Sequence, residues 1–279
     1  MTNALTDLPT LDTLRALSKS EVESFRLNGH ILLQSVCSQS EIEAYRPVIN
    51  KATDSEQFTR DLPPIELRDT YGKAFLQIMN LWEHDETVRK FVLAKRFGKI
   101  AADLLGVKAV RLYHDQALYK EPYGGHTPWH QDQYYWPLDT VGVQTVTMWM
   151  PLVDVSIDMG ALTFASGSQR EGLLGQIKIS DESEATFEDY VKSREFPISQ
   201  APMNAGDATF HAGWTLHCAP GNSSNKMREV MTLIFFADGI KISQPDNPNR
   251  ADDLERWLPG MKPGETAASR LNPVVYSAD

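Results

Sequence analysis

The sequence predicts a mostly-β fold, a barrel flanked by helices, and three observations carry that reading. Its last two thirds hold several short runs rich in Val, Thr, Tyr, Phe and Trp, the residues that fit a pleated, half-buried surface. Turn signals punctuate these runs: Tyr123-Gly124-Gly125, Ser166-Gly167-Ser168, Asn204-Ala205-Gly206-Asp207 and Pro220-Gly221-Asn222. The first third has a different texture, with helical spacing and helix-start signals.

Taken in order, Ser18 stands three residues before Glu21 and Ser38 three before Glu41. Both pairs are capping boxes and open two helices. A short apolar strand, His30 to Val36, fits between them. His84 to Leu105 reads as one helix, closed by Gly106. Strands are predicted at Val110 to Tyr119, Val143 to Leu152, Gly160 to Ala165, Ala208 to Cys218 and Arg228 to Ala237. Gly172 to Met203 interrupts the series with an acidic helix from Asp181 to Tyr190, placed as a lid insertion (172–203) would be. Residues 243–279 read as an irregular C-terminal tail, packed through Trp257, Leu258 and Val274 to Tyr276. The chain is read as one domain over 1–279.

Composition narrows the function. The chain has 279 residues, 42% of them hydrophobic, enough for one sizeable core. A net charge of −10 opposes nucleic-acid binding, which needs a basic face. No run of about 18 apolar residues occurs, so no membrane span is expected. The acidic N-terminal stretch does not resemble a secretory signal. Cys37 and Cys218 are the two cysteines, far apart, so a disulfide framework is not expected and a cytoplasmic location is. Oligomeric state leaves no sequence signal.

The chemistry centres on Trp129-His130-Gln131-Asp132. On an extended chain, residues i and i+2 share a face, so His130 and Asp132 can hold one cation from a strand end. Such a pair alone is equally what a hydrogen-bonded strand histidine and a turn carboxylate give. A second imidazole from a later strand would complete a two-His-one-carboxylate set, which leaves one face of an octahedral iron(II) open to a bidentate oxo-acid and O₂. The run Thr209 to Cys218 offers His211 and His217. His217 is the better choice because Arg228 follows by eleven residues across a turn. An antiparallel return would set that guanidinium beside the metal, where its planar fork suits the far carboxylate of 2-oxoglutarate. His211 is left for a supporting or core role.

The motifs in this order resemble the phytanoyl-CoA dioxygenase family. They are Lys120-Glu121-Pro122, Thr127-Pro128-Trp129-His130-Gln131-Asp132, Trp149-Met150-Pro151-Leu152, Gly160-Ala161-Leu162, Asn204-Ala205-Gly206-Asp207, His217, Asn222 and Arg228. The resemblance spans roughly residues 20 to 240. It implies a double-stranded β-helix, or jelly roll, of cupin-like form that uses Fe(II), 2-oxoglutarate and O₂. The product side would be succinate, CO₂ and a hydroxylated or otherwise oxidised small molecule. By position it implies His130, Asp132 and His217 as metal ligands and Arg228 as the arginine for the cofactor carboxylate. Gln116, Thr127 and Trp149 match positions that line the cofactor pocket, and Gln77 can face it too. Related halogenases lack the carboxylate, so Asp132 favours hydroxylation.

Two departures stand out. Ala219 replaces a small hydroxyl residue that the family often has two places after the last ligand. Ser166-Gly167-Ser168-Gln169 replaces the family's Pro-Gly-Ser-His. Trp129, Tyr134, Tyr135, Trp136, Trp149 and Trp214 suggest an aromatic-walled pocket for a ring-containing natural product or small catabolic metabolite. Two rivals remain at this level: a cupin-type metal enzyme that does not use 2-oxoglutarate, and a non-catalytic binding module on the same barrel.

Overall fold

The computed structural model describes residues 8–54 and 64–278; the first residues of the N-terminal stretch lie outside them. Both capping boxes form. Ser18 opens α1 (Lys19–Asn28) and Ser38 opens α2 (Gln39–Thr53), with β1 (His30–Leu33) between them. A short helix α3 (Thr70–Ala74) and β2 (Leu76–Met79) follow. The single helix expected over 84–105 is broken. It becomes α4 (Leu81–His84), α5 (Glu86–Val92) and α6 (Lys95–Leu105). Asp85 caps α5 by accepting from the Thr87 and Val88 amides, and Gly106 ends α6 in the left-handed region, as expected.

The remaining elements are β3 (Ala109–Lys120), β4 (Thr127–His130), β5 (Leu138–Asp139), β6 (Thr145–Pro151), β7 (Thr163–Ala165), α7 (Asp181–Ser193), β8 (Ile198–Gln200), β9 (Ala208–Ala212), β10 (His217–Ala219), β11 (Arg228–Ala237), β12 (Lys241–Ile242), α8 (Pro248–Trp257) and β13 (Val274–Ser277). Seven strands form the larger sheet, in the order β1-β9-β6-β11-β3-β13 with β2 also on β3, and four form a smaller one, β4-β10-β7-β8. Every described pairing between them is antiparallel. These two sheets with their buttressing helices make up the double-stranded β-helix that the motifs imply.

Period-two alternation decides what each face of the larger sheet does. On β6, Val146, Met148 and Met150 belong to the apolar core, whereas Thr147 and Trp149 line a cavity. On β11, Met231, Leu233 and Phe235 enter the core, and Arg228, Thr232 and Ile234 line the cavity. The core face is covered by helices: Phe97, Ile100, Ala101 and Leu104 of α6 pack there with Phe91 of α5 and Ile42, Tyr45 and Ile49 of α2. Each such buried side chain is worth about 1.5–3 kcal/mol of apolar transfer. The helices thus anchor one face of the sheet and free the other to carry polar groups.

Two expectations needed changing. The strand expected over 208–218 is two strands in different sheets. A turn at residues 213–216, closed by the Thr215 amide on the Ala212 carbonyl, carries the chain from β9 to β10. A Cβ on Gly213 would lie 2.4 Å from Thr145 Oγ1, so the crossing needs a residue without one. The tail is not irregular, since it forms α8 and β13, and β13 pairs with β3 at the edge of the larger sheet. Asn247 caps α8 through the Arg250 amide, with Pro248 at the first turn.

Candidate metal and cofactor site

β4 and β10 are neighbours in the smaller sheet, and their register sets His130 directly opposite His217. The two rings lie 4.0 Å apart. β4 ends at His130 and a 3-10 turn starts at Asp132, which folds the carboxylate back toward both rings. Asp132 Oδ1 is 3.5 Å from His130 Nε2 and 3.6 Å from His217 Nε2. Among the described residues these three form a group whose donor atoms all lie within 4.8 Å of one another.

The backbone selects the tautomers. His130 Nδ1 donates to the Pro128 carbonyl at 2.7 Å, and His217 Nδ1 donates to the Thr215 carbonyl at 3.0 Å. A carbonyl only accepts, so each Nδ1 carries the hydrogen and each Nε2 presents a lone pair. The carboxylate is held just as firmly. His211 Nε2 donates to Asp132 Oδ2 at 3.1 Å, and Thr147 Oγ1 donates to the same oxygen at 2.9 Å. Both supports fall on Oδ2, which leaves Oδ1 facing the imidazoles. Burial works against an ionised Asp132, but His217, His130 and His211 outweigh it and keep the carboxyl well below its ordinary range. Burial, with His130 close by, holds His217 well below its usual value, so it stays neutral, the form that can bind a metal.

Beside this group lies a cavity of about 600 Å³. At one end sits Arg228, 2% exposed, over the Trp149 ring at 5.3 Å. Its Nη1 donates to the Gly160 carbonyl at 2.6 Å, and its Nε is buried without a partner. Gly160 has φ +82°, and a Cβ there would lie 2.7 Å from the Pro220 carbonyl oxygen, so the close approach depends on glycine. The route of Arg228 differs from the expected hairpin. β10 and β11 belong to different sheets, and Asn222 ties the link between them by donating to the Lys226 and Glu121 carbonyls.

A second basic group lies behind the first. Lys120 is directly opposite Arg228 in the β3–β11 register and fully buried. It donates to the Gly125 carbonyl, and its Nζ lies 3.4 Å from Thr127 Oγ1. Burial and the neighbouring guanidinium pull the Lys120 ammonium down to about 6; burial alone brings Arg228 down to about 9. Such an end is tailored to an anion.

Gln116, Thr127 and Trp149 all line the cavity, and so does Gln77, which accepts from the Tyr71 hydroxyl at 2.8 Å. Thr127 stands directly across from Ala219 in the β4–β10 register, so a hydroxyl one strand away faces the place the family fills at position 219. Thr232 escaped the sequence reading. It lines the cavity and its hydroxyl is buried without a partner. Its two-residue phase with Arg228 was the available signal. Tyr135 and Trp136 also reach the cavity. Trp129 packs instead against Phe187 and Val191 of α7, and Tyr134 accepts from Asn249.

The cavity is also lined by peripheral segments: residues 69–71 at the start of α3, residues 178–181 leading into α7, and α8. Thr70 Oγ1 donates to Asp181 Oδ1 at 2.9 Å across the mouth, and the Ile179 amide donates to the Tyr135 hydroxyl at 2.8 Å. α7 is less exposed than its acidity suggests, because Phe187 and Val191 are buried.

Two imidazoles and a carboxylate on a jelly roll, next to a buried guanidinium, are the donor set of a non-haem iron and 2-oxo-acid oxygenase. Residues 25–230 match the model of the family described as phytanoyl-CoA dioxygenase (PhyH), and the chain belongs to that family. It is thereby an iron(II)- and 2-oxoglutarate-dependent dioxygenase acting on a small molecule. Among solved structures, the carbocyclase SnoK from nogalamycin biosynthesis is 23% identical over 96% of this chain and 99% of its own, with a TM-score of 0.76. The epimerase SnoN, in complex with Fe3+, alpha ketoglutarate and nogalamycin RO, is 22% identical over 92% and 98%, with a TM-score of 0.74. EctD from S. alaskensis, with 2-oxoglutarate and 5-hydroxyectoine, is 15% identical over 93% and 91%, with a TM-score of 0.67. These likenesses establish the fold. A search of curated proteins gave no match. Among the described residues, no helix is long and apolar enough to cross a membrane.

Proposed function

We propose that His130, Asp132 and His217 hold the iron and that Arg228, with Thr127, Gln116, Trp149 and Thr232 around it, holds 2-oxoglutarate. One observation carries the reading. Two Nε2 lone pairs and one carboxylate oxygen converge within 4.8 Å, beside a buried guanidinium whose Nε has no partner. His130, Asp132 and His217 would hold the ion from one side and would leave room beside it for 2-oxoglutarate and O₂. The orphaned Nε and the Thr232 hydroxyl are the groups an incoming carboxylate would satisfy.

When bound, the metal supplies the redox chemistry, in which O₂ is activated as 2-oxoglutarate is decarboxylated to succinate and CO₂. The protein supplies the rest. Arg228 orients the dicarboxylate by a charge-assisted fork, and Trp149 bounds it on one side. Thr147 and His211 keep Asp132 turned so that a single oxygen serves the metal. The outer cavity receives an organic substrate, and residues 172–203 act as a lid over it, clasped through Thr70 and Asp181. The chain's likeness to a carbocyclase and an epimerase of one natural-product pathway supports a ring-bearing natural product, oxidised by hydroxylation or a related step.

Anaerobic addition of iron(II) and 2-oxoglutarate is expected to raise a weak visible charge-transfer band, and O₂ is expected to yield succinate. Arg228→Ala is expected to remove the band at 2-oxoglutarate concentrations that saturate the wild type. A band and turnover that do not require 2-oxoglutarate would favour a cupin-type enzyme. Absence of both would favour a binding module.

A further inference from the structure

Part of the cavity wall is supplied by α8, which lies outside residues 25–230. Asn249, Asp253, Arg256 and Trp257 recur at spacings of four, three and one, so they form one stripe of the helix, and all four line the cavity. A helix that only covered a core would turn an apolar stripe inward. This one turns in an amide, a carboxylate, a guanidinium and an indole.

Asp253 is the half-buried carboxylate of that stripe. Its Oδ2 accepts from the Tyr113 hydroxyl at 2.9 Å, and Tyr113 is fully buried on β3. Burial pushes the Asp253 carboxyl up to about 7, against weaker opposing pulls from Tyr113, Arg256 and Trp257. Arg256 belongs to an exposed residue and is screened by solvent. The other charged residues on these peripheral lining segments, Asp69, Asp181 and Lys178, are likewise exposed and screened, which leaves Asp253 as the half-buried charge among them. His114 adds none, since burial holds its imidazole down to about 3. The rings of Tyr71, Tyr135, Trp136 and Trp257 complete the enclosure.

A half-buried carboxylate lining a cavity beside aromatic rings suits one kind of guest. We propose that Asp253 anchors a protonated amine on an otherwise apolar, ring-containing substrate. The inference rests on the oxygenase reading, because it places that substrate between Asp253 and the metal donors. A neutral hydroxyl would fill the hydrogen bond but bring the carboxylate no opposite charge beyond the solvent-screened Arg256. An ammonium does both and is attracted to the ring faces. An anion would have Arg256 as its partner and three carboxylates against it.

The test uses the full chain loaded with iron(II) and 2-oxoglutarate under argon, after the charge-transfer band has been recorded. Three probes of similar shape and different charge are titrated by calorimetry: 2-phenylethylammonium, 2-phenylethanol and 3-phenylpropanoate. The wild type is expected to bind the ammonium at least about tenfold more tightly than the alcohol, with the propanoate weakest. Asp253→Asn is expected to bring ammonium and alcohol within about twofold, while Asp252→Asn, at an exposed position on the same helix, keeps the preference. The proposal is overturned if the alcohol equals the ammonium, if the propanoate binds best, if the ammonium does not bind up to its solubility limit, or if Asp253→Asn keeps the preference. The wild-type order decides the matter alone should the variant not fold. A missing band sinks the oxygenase reading; a band without ammonium preference sinks only this inference.

Discussion

The two ends of the cavity are built on different principles. The inner end is strand. His130, His217, His211, Thr147, Trp149, Gln116 and Arg228 come from β3, β4, β6, β9, β10 and β11, whose opposite faces or neighbours are locked into the core. Backbone carbonyls and a neighbouring imidazole fix their orientations. The outer end is assembled from a short helix, a lead-in to the acidic helix and a C-terminal helix, joined by hydrogen bonds such as Thr70 to Asp181. Chemistry that must not vary sits on paired strands; recognition that must be particular sits on segments that can change without disturbing the sheet.

Substitutions can break that contrast, beginning at the metal. Asp132→Ala should lower kcat by roughly a thousandfold or more and abolish iron retention, as read by succinate release and metal analysis. Arg228→Ala should raise the KM for 2-oxoglutarate by about 100-fold, the loss of ~3 kcal/mol of charge-assisted hydrogen bonding, with far less effect on the KM of the organic substrate. His211→Ala should weaken metal binding by about 10- to 100-fold in chelator competition, and His211→Gln should recover part of it, since only a donor to Asp132 Oδ2 is needed.

The smallest effect concerns pH. The Lys120 ammonium sits at about 6 in the empty site, below its ordinary value, and a bound dianion favours its charged form. Binding therefore takes up a proton, and 2-oxoglutarate affinity should fall as pH rises from 6 to 8, by roughly threefold to tenfold. Lys120→Met should flatten that dependence. A profile equally steep in the variant would place the titration elsewhere.

The inner end was legible in the sequence, and the outer end largely was not. His130, Asp132, His217 and Arg228 are rare residue types at fixed offsets, and strand periodicity says which face they share. Even there the reading erred on the path: it expected a hairpin from His217 to Arg228, whereas the chain changes sheets. Thr147 and Thr232 were passed over because a threonine in a strand is ordinary by composition, and only its partner makes it special. The break at Asp85 was missed because 84–105 keeps an apolar rhythm that hides a capping aspartate. α8 was read as irregular because its Pro- and Asp-rich composition masked a helix whose apolar residues, Leu254 and Trp257, are few and pack against the core.

The carbonyls of Pro128 and Thr215 have one further consequence. Because they settle which nitrogen of each ring is bare before any ion arrives, the pocket has little ordering left to do on capture. That ordering helps every divalent ion alike and so adds no discrimination of its own, which leaves cobalt, nickel or zinc able to compete by their intrinsic ranking. The enzyme's working metal is then set by what the cell supplies, and protein isolated with a redox-silent ion should regain turnover after chelation and reloading with iron(II).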